Sequence, residues 1–166
     1  MLVPLLLLLA AQADPFPPHG EKAVVLLFVR SDCPISNRYA PELQRLYQQY
    51  FPQGIDFRLV YPEPGLTPAA MDNHRLEYDY RIPAVLDPGR QYVTRARARV
   101  TPQAAVFVRG RLIYRGRIDD RYVDTGKARP RAARRDLEEV LAAVAAGKTL
   151  RLRETKAVGC AIENQQ

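Results

Sequence analysis

The chain predicts an α/β domain built on a central mixed sheet flanked by helices, and three observations carry that expectation. A short apolar, β-branched run at Ala23–Val29 reads as a strand buried on both faces. A helical pattern follows it, and Ile55–Tyr61 then alternates as a strand does, so the early β-α units require parallel strands. Late in the chain, two apolar runs flank Arg109-Gly110 as an antiparallel hairpin. The 166 residues suit one domain.

Each element has its own signal. Helical spacing of Tyr39, Leu43, Leu46, Tyr47 and Tyr50 predicts a helix over Pro34–Phe51. Pro34 suits its first turn, where no amide hydrogen is needed, while Pro41 falls inside and is expected to kink it. Pro52-Gln53-Gly54 ends it. In Ile55–Tyr61, residues Ile55, Phe57, Leu59 and Tyr61 share one face. Thr67-Pro68 supplies a capping hydroxyl and a first-turn proline for a helix running to Tyr78. Ala84–Leu86 is a short strand stopped by Asp87-Pro88-Gly89. A brief helix over Gln91–Ala98 leads to Val100-Thr101-Pro102, then to the hairpin strands Ala104–Val108 and Leu112–Arg115. The last helix, Arg134–Ala146, aligns Leu137, Val140, Leu141 and Val144 and stops at Gly147. The divisions are a leader at 1–13, an extended Pro-rich lead-in at 14–21, the domain at 22–147, and a tail at 148–166 carrying Cys160.

The leader reading rests on Leu5–Leu9 and the small-x-small Ala11-Gln12-Ala13 before Asp14, although no basic residue precedes the leucines. The run is far shorter than the about 20 residues a membrane span needs. A periplasmic or extracellular protein is the expectation, with membrane contact only through an uncleaved leader. Formal charge is +7, with arginines crowded at 95–99, 109–117 and 129–135. No recognition-helix or aromatic-interleaved pattern accompanies them, so they read as a solvated basic surface and no nucleic-acid partner is expected. Two cysteines, Cys33 and Cys160, allow one internal bridge, and with His19 and His74 they lack zinc spacings. No cofactor and no metal are expected.

Chemistry concentrates at Cys33-Pro34-Ile35-Ser36, where the first strand gives way to the first helix. A thiol there sits at the positive end of a helix dipole, which favours the reactive thiolate. The element order, Cys33-Pro34-Ile35-Ser36 and Thr101-Pro102 ahead of a strand together resemble the thioredoxin superfamily over residues 22–147. More narrowly, Tyr114-Arg115-Gly116-Arg117-Ile118-Asp119-Asp120 and the Gly159-Cys160-Ala161-Ile162 ending look like exported bacterial redoxins of the peroxiredoxin-like (AhpC/TSA) branch. The resemblance implies a thioredoxin-like fold with a β-α insertion before the cis-proline strand. It also implies that Cys33 is the redox nucleophile and that Pro102 is a cis-proline facing it. Thr101, Pro102 and Pro34 then bind the substrate.

Two departures matter. Ser36 stands where thioredoxins carry the second cysteine; it cannot resolve a mixed disulfide, but it can donate a hydrogen bond to the Cys33 thiolate. The peroxiredoxin pattern P-x-x-x-[TS]-x-x-C is unmatched, since Leu26 and Arg30 occupy its proline and hydroxyl positions. Arg30 adds positive charge near Cys33 and Asp32 opposes it. Cys160 is a candidate resolving thiol, a structural staple, an intermolecular bridge or an unpaired thiol. His74 and Met71, with Cys33 and Cys160, offer soft ligands for copper, though a lone helix histidine is usually a surface residue. Asp119-Asp120 is expected to cap a loop or pair with Arg115 and Arg117, and Tyr78 and Tyr80 to pack.

The expected function is exported thiol–disulfide oxidoreduction on a protein or small-molecule thiol or disulfide substrate, recharged by an unidentified reductant. The alternatives are a peroxiredoxin-like thiol peroxidase and a non-catalytic module binding copper or a protein partner.

Overall fold

A computed structural model describes residues 21–162; the leader, its cleavage site and all but the last residue of the Pro-rich lead-in lie outside them. Six strands form the central sheet: β1 (Ala23–Phe28), β2 (Ile55–Tyr61), β3 (Ala84–Leu86), β5 (Gln103–Val108), β6 (Arg111–Gly116) and β9 (Arg153–Glu154), in the order β3-β2-β1-β5-β6-β9. β1, β2 and β3 run parallel, and β5 runs antiparallel to both β1 and β6. The mixed sheet arises because β1 and β2 are joined through a helix, whereas β5 and β6 are joined by two residues. Those two, Arg109 and Gly110, both have left-handed backbone angles (φ 50° and 73°). Such angles match a two-residue turn to the twist of its strands.

The helices are α1 (Pro34–Tyr50), α2 (Pro68–Glu77), α3 (Gln91–Ala96) and α4 (Asp136–Ala145). The Thr67 hydroxyl accepts the Ala70 amide as the α2 cap. Because β1 alternates, its residues feed two cores. Val25 and Leu27 join Leu43 and Leu46 of α1 and Leu137 and Leu141 of α4. Leu26 and Phe28 join Val93 and Ala96 of α3, Phe107 of β5, and Ile162 from the tail. α1 remains one helix through Pro41.

Four features differ from expectation. α3 stops at Ala96 because Arg97 turns left-handed (φ 53°). A small hairpin, β7 (Tyr122–Asp124) and β8 (Lys127–Ala128), lies in a stretch with no strand signal. β4 (Val100–Thr101) precedes the cis-proline as a separate strand. The tail carries structure: β9 extends the sheet in parallel to β6, and β10 (Cys160–Ala161) pairs antiparallel with β4. Among the described residues no helix is long and apolar enough to cross a membrane.

Candidate redox site

The end of β1 delivers the chain into Arg30-Ser31-Asp32-Cys33, and Cys33 is the N-cap residue of α1. Its extended backbone (φ −93°, ψ 109°) starts the helix, and its side chain makes no capping hydrogen bond. The sulfur therefore sits where the helix leaves its first amides unsatisfied, a place that favours negative charge. Facing it is Thr101-Pro102, joined by a cis peptide bond. Cys33 Sγ lies 3.2 Å from the Thr101 carbonyl oxygen.

Cys33 is bonded to Cys160, with the two Cα atoms 6.1 Å apart and a sequence separation of 127. Among the described residues no cysteine is free. β10 brings Cys160 there: Cys160 pairs with Thr101 and Ala161 with Val100, and the Ile162 amide donates to the Arg99 carbonyl at 2.9 Å. Gly159 explains how the strand comes so close. A Cβ on it would fall 2.6 Å from the Thr101 carbonyl carbon and collide with its oxygen. With the tail in place Cys33 is fully buried, while Cys160 keeps partial exposure.

Ser36, in the first turn of α1, is buried, and its hydroxyl has no partner among the described residues. The Thr101 hydroxyl is in the same condition. Unmatched buried hydroxyls are costly, at roughly 1–3 kcal/mol each, and both belong to residues next to Cys33: Ser36 in the helix turn it caps and Thr101 whose carbonyl it meets. Arg30 does not simply add charge near Cys33. Its guanidinium grips Asp32 through two bonds of 2.9 and 2.8 Å and reaches the Ala161 carbonyl at 3.4 Å. The ion pair largely cancels, leaving the helix terminus as the main source of positive potential. Pro34 is exposed and borders a shallow cleft with Asp32, Asn37, Arg38 and Tyr78.

His74 is where sequence reasoning needs the clearest correction. It is buried, not on the surface. Tyr61 Oη lies 2.8 Å from Nδ1, and Asn37 Oδ1 lies 3.0 Å from Nε2. Asn37 Nδ2 in turn donates to the Ser31 carbonyl, and Glu63 accepts both the Ser31 amide and its hydroxyl at 2.7 and 2.6 Å. With both ring nitrogens engaged, His74 cannot act as a copper ligand unless this network breaks. Nothing in the sequence pattern linked these residues, because they come from α1, β2, α2 and two loops.

Asp119 and Asp120 do cap a loop, but their partners differ from those expected. Asp120 accepts the Ala133 and Arg134 amides and pairs with Arg129, while Asp119 accepts from Tyr39 Oη and the Arg121 amide. Arg115 pairs instead with Glu154 and Arg117 with Asp136. Tyr78 and Tyr80 pack against His74, as packing residues should.

No protein-family model matches the sequence, and no curated protein does. Solved structures do match. A hypothetical protein from Sinorhizobium meliloti is 23% identical with a TM-score of 0.73, over 86% of this chain and 79% of that one. A thioredoxin-like protein solved in its oxidised form is 19% identical with a TM-score of 0.58, over 78% of this chain and 82% of that one. A secreted Mycobacterium tuberculosis disulfide oxidoreductase, described as homologous to E. coli DsbE, is 19% identical with a TM-score of 0.51, over 76% and 83%. Identities this low speak to architecture alone. The sheet order, the cysteine at the first helix, the cis-proline facing it and these likenesses agree: this chain has a thioredoxin-like fold.

Proposed function

We propose that the chain is an exported thiol–disulfide oxidoreductase in which Cys33 is the nucleophile and Cys160 the resolving cysteine. The observation that carries the reading is the Cys33–Cys160 disulfide at a helix N-terminus, opposite a cis-proline. In the oxidised protein an external thiolate reaches Cys160, the partner with exposure. It forms a bond to that sulfur and expels Cys33 as a thiolate. A leaving thiol of low pKa departs faster, and the α1 terminus favours its charge. The unpartnered Ser36 hydroxyl is available to donate to the same thiolate. A second thiol frees Cys160 from the mixed disulfide.

In the reduced protein Cys33 attacks a substrate disulfide, releasing one substrate thiolate and keeping the other half bound. Cys160 then attacks Cys33, releases that half and restores the internal bridge. Two electrons pass to the substrate in each cycle, and an external thiol reductant replaces them. The buried Thr101 and Pro102 shape the face against which the substrate lies, and Pro34 borders its approach. Export is supported by the leader pattern, by a disulfide that persists in oxidising compartments, and by the secreted neighbour. A peroxidase reading finds no support at Arg30, whose guanidinium is tied to Asp32 where that chemistry needs a hydroxyl.

The test is a redox titration of the purified protein with peptide mapping. A reversible Cys33–Cys160 couple is expected, with a potential between the thioredoxin and DsbA extremes of about −270 and −120 mV. Cysteines that stay paired throughout that range would make the bridge a staple and remove the catalytic reading.

A further inference from the structure

The internal bridge has the same bonding as the intermediate formed during exchange: Cys33 joined through sulfur to a cysteine on an extended strand. Residues 158–162 therefore show how a bound segment fits the site. Its cysteine pairs with Thr101, and β4 has no other strand partner among the described residues. The position before the cysteine lies against Thr101 and Pro102 so closely that any Cβ there collides with backbone atoms. The position after it, Ala161, is exposed; it pairs with Val100, and its carbonyl accepts from Arg30. Two positions after it, Ile162 is 8% exposed and fills the second core beside Phe28, Val93 and Ala96. When the tail leaves, that apolar socket loses its occupant.

We propose that the site selects, as its protein substrate, an extended segment of the form Gly-Cys-Xaa-aliphatic, and that residues 159–162 are a built-in copy of it. This rests on the exchange reading above. It adds a substrate class and a consequence: tail and substrate compete for one strand edge, so the substrate gains access only after reduction has freed Cys160. Glycine is required because backbone, which cannot move aside as a flexible side chain does, occupies the Cβ position. The aliphatic residue is favoured because an emptied apolar socket is costly and a polar group placed in it goes unpaired.

The experiment uses the full-length Cys160→Ser protein in reduced form. The probes are end-blocked Val-Gly-Cys-Ala-Ile, Val-Ala-Cys-Ala-Ile and Val-Gly-Cys-Ala-Asp, each with its cysteine joined in a disulfide to thionitrobenzoate. Cys33 forms a disulfide with the peptide and expels the coloured thionitrobenzoate thiolate, so atoms and electrons balance and the rate is read directly. The same protein meets every probe, so competition from its tail cancels in the rate ratios. The first peptide should react at least tenfold faster than either variant. Reduced wild-type protein should give the same ranking, which keeps the test independent of how well the serine variant folds. Equal rates for all three would overturn the selectivity while leaving Cys33 as the nucleophile. No release from any probe would overturn the exchange reading and this inference with it.

Discussion

The two short strands of the C-terminal tail, β9 and β10, are fastened by different chemistry. Both depend on a close backbone approach that only glycine allows. At β9 the domain supplies it, because a Cβ on Gly116 would collide with Thr155. At β10 the tail supplies it, through Gly159 against Thr101. Beyond that contact and a two-residue ladder at each strand, the fastenings differ. Around β9, Arg153 pairs with the fully buried Asp136 and, at 2.9 Å, with Glu139, and Arg115 meets Glu154 at 2.7 Å. The Thr155 hydroxyl joins Tyr114 Oη at 2.8 Å and accepts the Arg117 amide at 3.1 Å. β10 has a two-residue ladder, Ile162 and one disulfide. Reduction leaves every bond at β9 intact and removes the only covalent one at β10. The tail is thus a fixed anchor followed by a releasable arm.

The largest effect should come from the sulfur itself. Cys33→Ser is expected to abolish exchange, with at least a thousandfold loss in the rate of reducing a disulfide substrate, while β9 remains docked. Loss of activity in Cys33→Ser no greater than in Cys160→Ser would contradict the assignment of Cys33 as the attacking group. Next comes the anchor. Asp136→Ala leaves Arg117 and Arg153 without their buried partner and should cost about 3–5 kcal/mol in urea unfolding, in oxidised and reduced protein alike. An effect confined to the oxidised form would mean that anchor and arm are not independent.

The two glycines separate the regions most directly. Overpacking by one methyl group costs about 1–3 kcal/mol where the backbone must shift. Gly159→Ala should place that cost on the docked arm, moving the dithiol–disulfide equilibrium about tenfold or more toward the dithiol with little change in the stability of the reduced protein. Gly116→Ala should do the reverse, lowering stability in both redox states and leaving the equilibrium nearly unmoved. Equilibration against a glutathione series, followed by urea unfolding of each form, reads both quantities.

The fixed frame was more legible in sequence than the arm. β2 and β3 fall on their expected residues, and the Thr67 cap and the Arg109-Gly110 turn form as their residue types dictate. Each of these signals is local: a period, a capping hydroxyl, a turn pair. β4, β9 and β10 are two residues long, too short to show any alternation, and exist because distant backbone pairs with them. The sequence leaves open whether Cys33 and Cys160 bridge at all, because a separation of 127 along the chain says nothing of spatial distance. His74 was misplaced for a similar reason. A single histidine on a weakly patterned helix carries no sign that Tyr61 and Asn37 will bracket it.

That bracket gives the smallest expected effect, and it too distinguishes the two regions. Carboxylates fasten the anchor, whereas His74 lies in the network that holds the loop before Cys33. Asn37 donates its amide nitrogen to Ser31, so its oxygen accepts from His74 Nε2–H; in the neutral ring Nδ1 then accepts from Tyr61 Oη. Burial pushes the His74 pKa below the ordinary 6.5, with Glu63 and Glu77 opposing. The folded state then binds fewer protons than the unfolded chain in the window below 6.5. Stability is full above that value and is lost as pH falls through the window toward the folded pKa. Urea unfolding at pH 7.5, 6.5 and 5.5 should show this decline in the wild type, and His74→Gln, though less stable throughout, should flatten it. An unchanged slope in His74→Gln would assign the acid sensitivity to other groups and leave the His74 bracket as packing alone.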